Sequence, residues 1–161
     1  MLVNAHVLSQ FLYCPLIWMF CYKGDNEKII SIHKRALRTT QFNFTSSYKD
    51  LLIAEKTCSI HQKHLQILMT EIYKSLHSLN PSIINELFQI KNRHYNTRNI
   101  YVLKLPPART SYLGTNSLIF KGSFIWNNLS NEIKNSQNLA EFRRKIKDCN
   151  LDFKCSCRAC T

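Results

Sequence analysis

The residues with the most chemistry per position stand at the end of the chain, which reads C-N-L-D-F-K-C-S-C-R-A-C-T from Cys149. Cys155, Cys157 and Cys160 form C-x-C-x-x-C, and Cys149 precedes them. Four thiolates can close a tetrahedral zinc shell. The spacing departs from paired C-x-x-C sets, and a C-x-C chelate is strained. A structural zinc therefore stands beside a second reading, a tail of reactive thiols without metal. Cys14, Cys21 and Cys58 fall in apolar or helical contexts, where a buried free thiol is the usual state. The cysteine count is 7, an odd number, and no secretory signal pattern is visible, so a reducing compartment, cytoplasmic or nuclear, is expected.

The second chemistry is cationic. Lysine and arginine number 22 against 10 acidic residues, a net charge of +12. Such an excess suits a polyanion, either nucleic acid or an acidic membrane surface. It concentrates in three places. Lys34, Arg35 and Arg38 lie on a predicted helix. Arg93, Tyr95 and Arg98 lie in the stretch from Lys91 to Arg109, which has no acidic residue and no clear periodicity. Arg143, Arg144, Lys145 and Lys147 lie on the last predicted helix. Guanidinium forks hold phosphates through two bonds, and tyrosine rings stack on bases. The plainer alternative is a solvated helix face, or, for Arg93 and Arg98, capping of helix carbonyls or pairing with Glu86. His61 and His64 share a helix face without a third ligand at a known spacing, and read as packing or surface residues.

Bond-making machinery is not legible. Asp25, Asp50, Asp148 and Asp152 are scattered, and no Tyr/Phe-x-Asp-Asp string supplies paired carboxylates for two metal ions. Three glycines cannot build a phosphate-cradling loop, and there is no Gly-x-Ser-x-Gly elbow. The chain is expected to catalyse nothing on its own.

The elements that must position these groups are helical. Leu2 to Tyr22 is the most apolar run, but Asn4, His6, Ser9, Gln10 and Pro15 argue against a membrane span. It predicts a buried helix bent at Pro15. A helix over about Glu27–Thr39, capped by Asp25 or Asn26, turns Ile29, Ile30, His33 and Leu37 to one face. Ser46 or Ser47 caps a short helix, and Ser59 caps the longest periodic segment, to Leu79. Asn80-Pro81 opens a helix to about Ile90 that buries Ile83, Ile84, Leu87 and Phe88. Pro106-Pro107 leads into a module with a tight turn at Gly114, core candidates Phe124, Trp126 and Leu129, and a final helix starting at Asn138. The fold class is mostly α: an irregular multi-helix bundle with a basic loop and a cysteine-rich C-terminal tail. The expected divisions are a helical domain over 1–90, a basic linker over 91–111, a small helical module over 112–149 and the tail over 150–161.

Several of these strings resemble one family. G-T-N-S-L, G-S-F-I-W-N, E-I-K-N-S and F-R-R-K-I between Gly114 and Ile146 look like the C-terminal region of non-LTR retrotransposon reverse transcriptases, the jockey-like group in particular. F-L-Y-C-P-L-I-W-M-F-C, I-I-S-I-H-K-R-A-L-R and S-I-H-Q-K-H-L-Q-I-L agree with it. The resemblance implies the thumb and the segment beyond the palm of an RNA-directed DNA polymerase, with 1–90 thumb-like. It further implies template–primer or element RNA as partner, and a palm- or endonuclease-bearing chain as a second one. The family commonly ends in a similar cysteine tail with a proline where this chain has Ser156. Two rivals stay open. One is a non-catalytic protein- or membrane-interaction domain, with membrane the less favoured; the other is a degenerate transposon remnant without selected activity.

Overall fold

The chain was analysed as a computed structural model, which describes residues 7–91, 102–110, 114–149 and 151. The described residues are mostly helical and contain no strand. Nine helices follow in order among them. They are α1 (Ser9–Phe11), α2 (Pro15–Trp18), α3 (Lys23–Gln41), α4 (Tyr48–Ala54), α5 (Ile60–Leu76), α6 (Ser82–Asn85), α7 (Leu118–Asn127), α8 (Asn131–Lys134) and α9 (Leu139–Asp148).

Helix α5 is the axis of the packing. Leu65, Leu68, Met69, Ile72 and Tyr73 recur at helical spacing and are all buried. Against them pack Met19 from the end of α2, Ile125 and Trp126 from α7, and Phe142 and Ile146 from α9. Tyr73 stacks on Phe142 with ring centroids 4.4 Å apart, and its hydroxyl donates to the Ser136 carbonyl at 2.8 Å. This core draws on both sides of the expected 91–111 linker. A smaller core gathers Leu8, Leu37, Leu51 and Ile60, joining α3 and α4 to the first turn of α5.

Short polar side chains start the helices where their types predict. Ser47 and Asp50 close a reciprocal capping box on α4. Ser59 accepts from the Gln62 amide, and Asn138 from that of Glu141. Helix α3 instead begins earlier than expected, at Lys23, with Tyr22 as an N-cap that makes no side-chain capping bond. Asp25 lies inside its first turn, paired with Lys28 at 3.2 Å.

Two expectations are corrected. The N-terminal run is not one bent helix. Proline disfavours the α conformation in the residue before it, and Cys14 turns left-handed, with φ 44°. Pro15 then opens a new helix as its first residue, where its missing amide costs nothing. The helix after Pro81 also stops short, at Asn85, and Ile83, Ile84 and Leu87 are exposed; of the four expected core residues only Phe88 is buried. Asn80 turns back onto the Glu71 carbonyl rather than forward as a cap, and the chain beyond Phe88 pairs elsewhere. Ile90 and Leu103 form an isolated antiparallel bridge, with Lys91 N–H to the Val102 carbonyl and Lys104 N–H to the Gln89 carbonyl, both 2.8 Å.

The Trp126-Asn127 pair holds this bridge in place. Trp126 is core. The Asn127 amide accepts from Leu103 N–H at 2.8 Å and donates to the Leu103 carbonyl at 3.0 Å, completing the pairing a neighbouring strand would otherwise supply. The Asn127 carbonyl takes a bond from the buried Lys134 ammonium at 2.9 Å. Phe124, expected in the core, is partly exposed.

Candidate nucleic-acid interface

The cations of α9 divide by what they touch. Lys145 is held by Glu141 at 2.7 Å and by the Glu132 carbonyl at 2.9 Å. The pairing with Lys145, then the bond from the Gln137 amide, holds the Glu141 carboxyl below its usual range. Arg144 is exposed without an ion-pair partner among the described residues. Arg143 and Lys147, one turn apart, line a groove of about 550 Å³ between α9 and α5.

The opposite wall of that groove is also basic. Lys63 projects from α5 and Lys56 from the turn before it. Gln66, also in the lining, fastens the two helices by donating to the Lys147 carbonyl at 3.3 Å. The floor includes Ile67 and Ile146. Among the described residues one carboxylate reaches the lining, Glu71, and it is paired with Lys74 at 2.6 Å. Burial lowers the pKa of Lys63, partly offset by Cys58. A partly desolvated ammonium without a carboxylate is stabilised by an arriving anion. Four cations around a half-apolar trough can therefore hold phosphate groups in sequence-independent fashion.

Sequence reasoning found Arg143 and Lys147 but missed Lys56 and Lys63. The α5 pair is far from α9 in the chain, and no local pattern reports that the two helices meet. The available signal was weak: Lys63 is one of several polar residues on a helix that also carries Gln66, Glu71 and Lys74.

On α3, Lys34, Arg35 and Arg38 line a separate hollow of about 300 Å³ with Ser31 and Phe44. Arg38 donates from its terminal nitrogen to the Ser46 carbonyl at 3.0 Å, while its Nε is buried without a hydrogen bond. Lys34 and Arg35 have no ion-pair partner among the described residues.

The histidines are structural. His64 bonds the Phe11 carbonyl through Nε2 at 2.8 Å and meets Trp18 edge-on at 4.7 Å, securing the break between α1 and α2. His33 bonds the Tyr48 hydroxyl through Nδ1 at 2.8 Å. Burial lowers both to about 4, with the charge on Lys63 adding to the effect at His33 and His61 adding to it at His64. Both are neutral at pH 7.

Arg93, Tyr95 and Arg98 lie outside the described residues, as do Cys155, Cys157 and Cys160. Of the four expected zinc ligands, Cys149 alone is described. It is half-buried, packs on the main core, and lines a hollow with Cys58 and Asp148. Among the described residues no group of three metal-ligating side chains comes together. No helix among them is long and apolar enough to cross a membrane. Comparison with protein-family models, curated proteins and solved structures found no match to this chain.

Proposed function

We propose that this chain is a nucleic-acid-binding helical body that grips a phosphate backbone and leaves bond-making to another polypeptide or segment. The reading that fits its sequence strings is the thumb and post-palm region of a non-LTR retrotransposon reverse transcriptase. Template–primer duplex or element RNA is then the ligand, in the cytoplasm or nucleus. The observation that carries the proposal is the convergence of Lys56, Lys63, Arg143 and Lys147 on one groove, where the carboxylate among the described lining residues, Glu71, is already paired. Cations that are not consumed internally are what counterion release requires.

The test is binding of an RNA–DNA duplex over a salt series. Affinity should fall linearly on a log–log plot, with a slope of about −0.9 for each phosphate neutralised. Replacing Arg143 and Lys147 by Gln should reduce that slope by about two. Affinity indifferent to salt would remove the electrostatic basis.

A second reading, a protein- or membrane-interaction domain, is favoured by the exposure of Tyr13 and Ile17 beside α2. Flotation with acidic liposomes, with and without Ile17→Asn, separates it from the first.

A further inference from the structure

Phe44 is 65% exposed and lines a hollow together with Lys34, Arg35, Arg38 and Ser31. Helix α3 ends at Gln41, and Phe42 adopts a left-handed conformation, φ 50°, that reverses the chain. The reversal is fastened at several points. The Asn43 amide bonds the Arg38 carbonyl at 3.2 Å, the Ser46 amide bonds the Asn43 side chain at 3.2 Å, and Arg38 grips the Ser46 carbonyl. An apolar ring is thus held in place against a helix face that carries three cations and contributes no carboxylate to the hollow. At about 300 Å³ the hollow stands at the small end of ligand clefts.

We propose that this hollow takes one unpaired nucleotide of a single strand, its base stacked on Phe44 and its phosphate held by Arg35 and Lys34. Single-strand sites pair a cationic track with an aromatic platform, because every base offers a π-face whatever its identity. A paired base cannot present that face, so this site distinguishes single strands from duplex. The α5–α9 groove has no aromatic side chain among its described lining residues and does not make that distinction. Arg38 acts as a positioning residue: its tie to Ser46 sets where Phe44 stands. The helix carbonyls at this end are negative, which places the phosphate one turn back, toward Lys34 and Arg35. The inference rests on the nucleic-acid reading above and adds to it the form of the ligand.

Fluorescence anisotropy with a labelled single-stranded RNA and a blunt RNA–DNA duplex of equal length tests it on the full chain. Phe44→Ala should weaken single-strand binding by about 5- to 100-fold, the worth of one stacked base, and leave duplex binding within about twofold. Phe44→Trp should retain single-strand binding, and mixing with polyadenylate should quench the introduced indole. Phe44→Ala is expected to fold, since the ring is mostly exposed, and circular dichroism checks that. Single-strand affinity unchanged in Phe44→Ala, or weakened equally with duplex, overturns the stacking site while the backbone-binding reading stands. A wild-type chain that binds neither ligand overturns both.

Discussion

Single residues in this protein divide into those consumed by the fold and those left facing outward. Of the α9 cations, Lys145 belongs to the first kind and Lys147 to the second. Lys147→Gln should therefore lower duplex affinity and reduce the salt slope by about one, whereas Lys145→Gln should leave the slope unchanged. Titration over a salt series reads both. His33 and His64 supply a pH-dependent part of stability. Each is lowered from 6.5 to about 4 in the folded chain, by burial first. Between those values the unfolded chain binds a proton that the folded chain does not. Stability is therefore complete above about pH 6.5 and lost as pH falls toward 4, by less than the full shift implies because solvent close to both rings screens the charge. Denaturant melts from pH 7 to pH 4 should show this decline. His64→Gln, which keeps a donor for the Phe11 carbonyl, should remove the His64 share of the decline and leave that of His33. The histidines' burial was legible in their place on an apolar helix face. The freedom of Lys63 was not, because it depends on which distant helix arrives beside it.

At the scale of elements, the position of α7 on α5 is set by the glycine between them. A Cβ on Gly122 would stand 3.2 Å from both Ile72 Cδ1 and Phe88 Cε1. Gly122→Val adds two further methyl groups to that contact and should cost about 1–3 kcal/mol by overpacking. Gly24→Ala, where a Cβ meets nothing within 4 Å, should be neutral or slightly stabilising, since it sits in the first turns of α3. Thermal melts of the two variants make the comparison. Much of this level was readable in advance. The three- and four-residue recurrence gave α5, and Ser47, Ser59 and Asn138 marked helix starts because their side chains replace missing acceptors. The failure after Pro81 has a different cause from the break at Pro15. Ile83, Ile84 and Leu87 have the spacing of a core helix, but spacing says only that a face is apolar, not that another element covers it. The strings G-S-F-I-W-N and E-I-K-N-S, which carry the family resemblance, serve packing. Here Trp126 and Ile133 fill the core, Asn127 holds Leu103, and Lys134 holds the end of α7.

The whole molecule is joined through α5, which contributes Ile60 to the smaller core and Leu65 to Tyr73 to the larger one. A defect in either should be felt throughout. Phe142→Ala removes the ring between Tyr73 and Trp126 and should cost about 3–5 kcal/mol. Because the cores share a helix, tryptophan fluorescence and far-ultraviolet circular dichroism should report one coincident transition rather than two. Two separate transitions would mean that the cores unfold independently. Charge at this scale was legible from composition, and its division between an α5–α9 groove and an α3 hollow was not, since each is assembled from segments that meet only in the folded chain.

Gln62 uses both ends of its amide on the chain leaving α9, donating to the Cys149 carbonyl at 2.7 Å and accepting from the Leu151 amide at 3.0 Å. The departure point of the last ten residues is therefore moored to the first turn of α5. Even at full stretch Cys160 cannot travel more than about 30 Å from that mooring. Anything those thiols capture, whether an ion or a partner protein, is delivered alongside the basic groove at an effective concentration far above that in bulk.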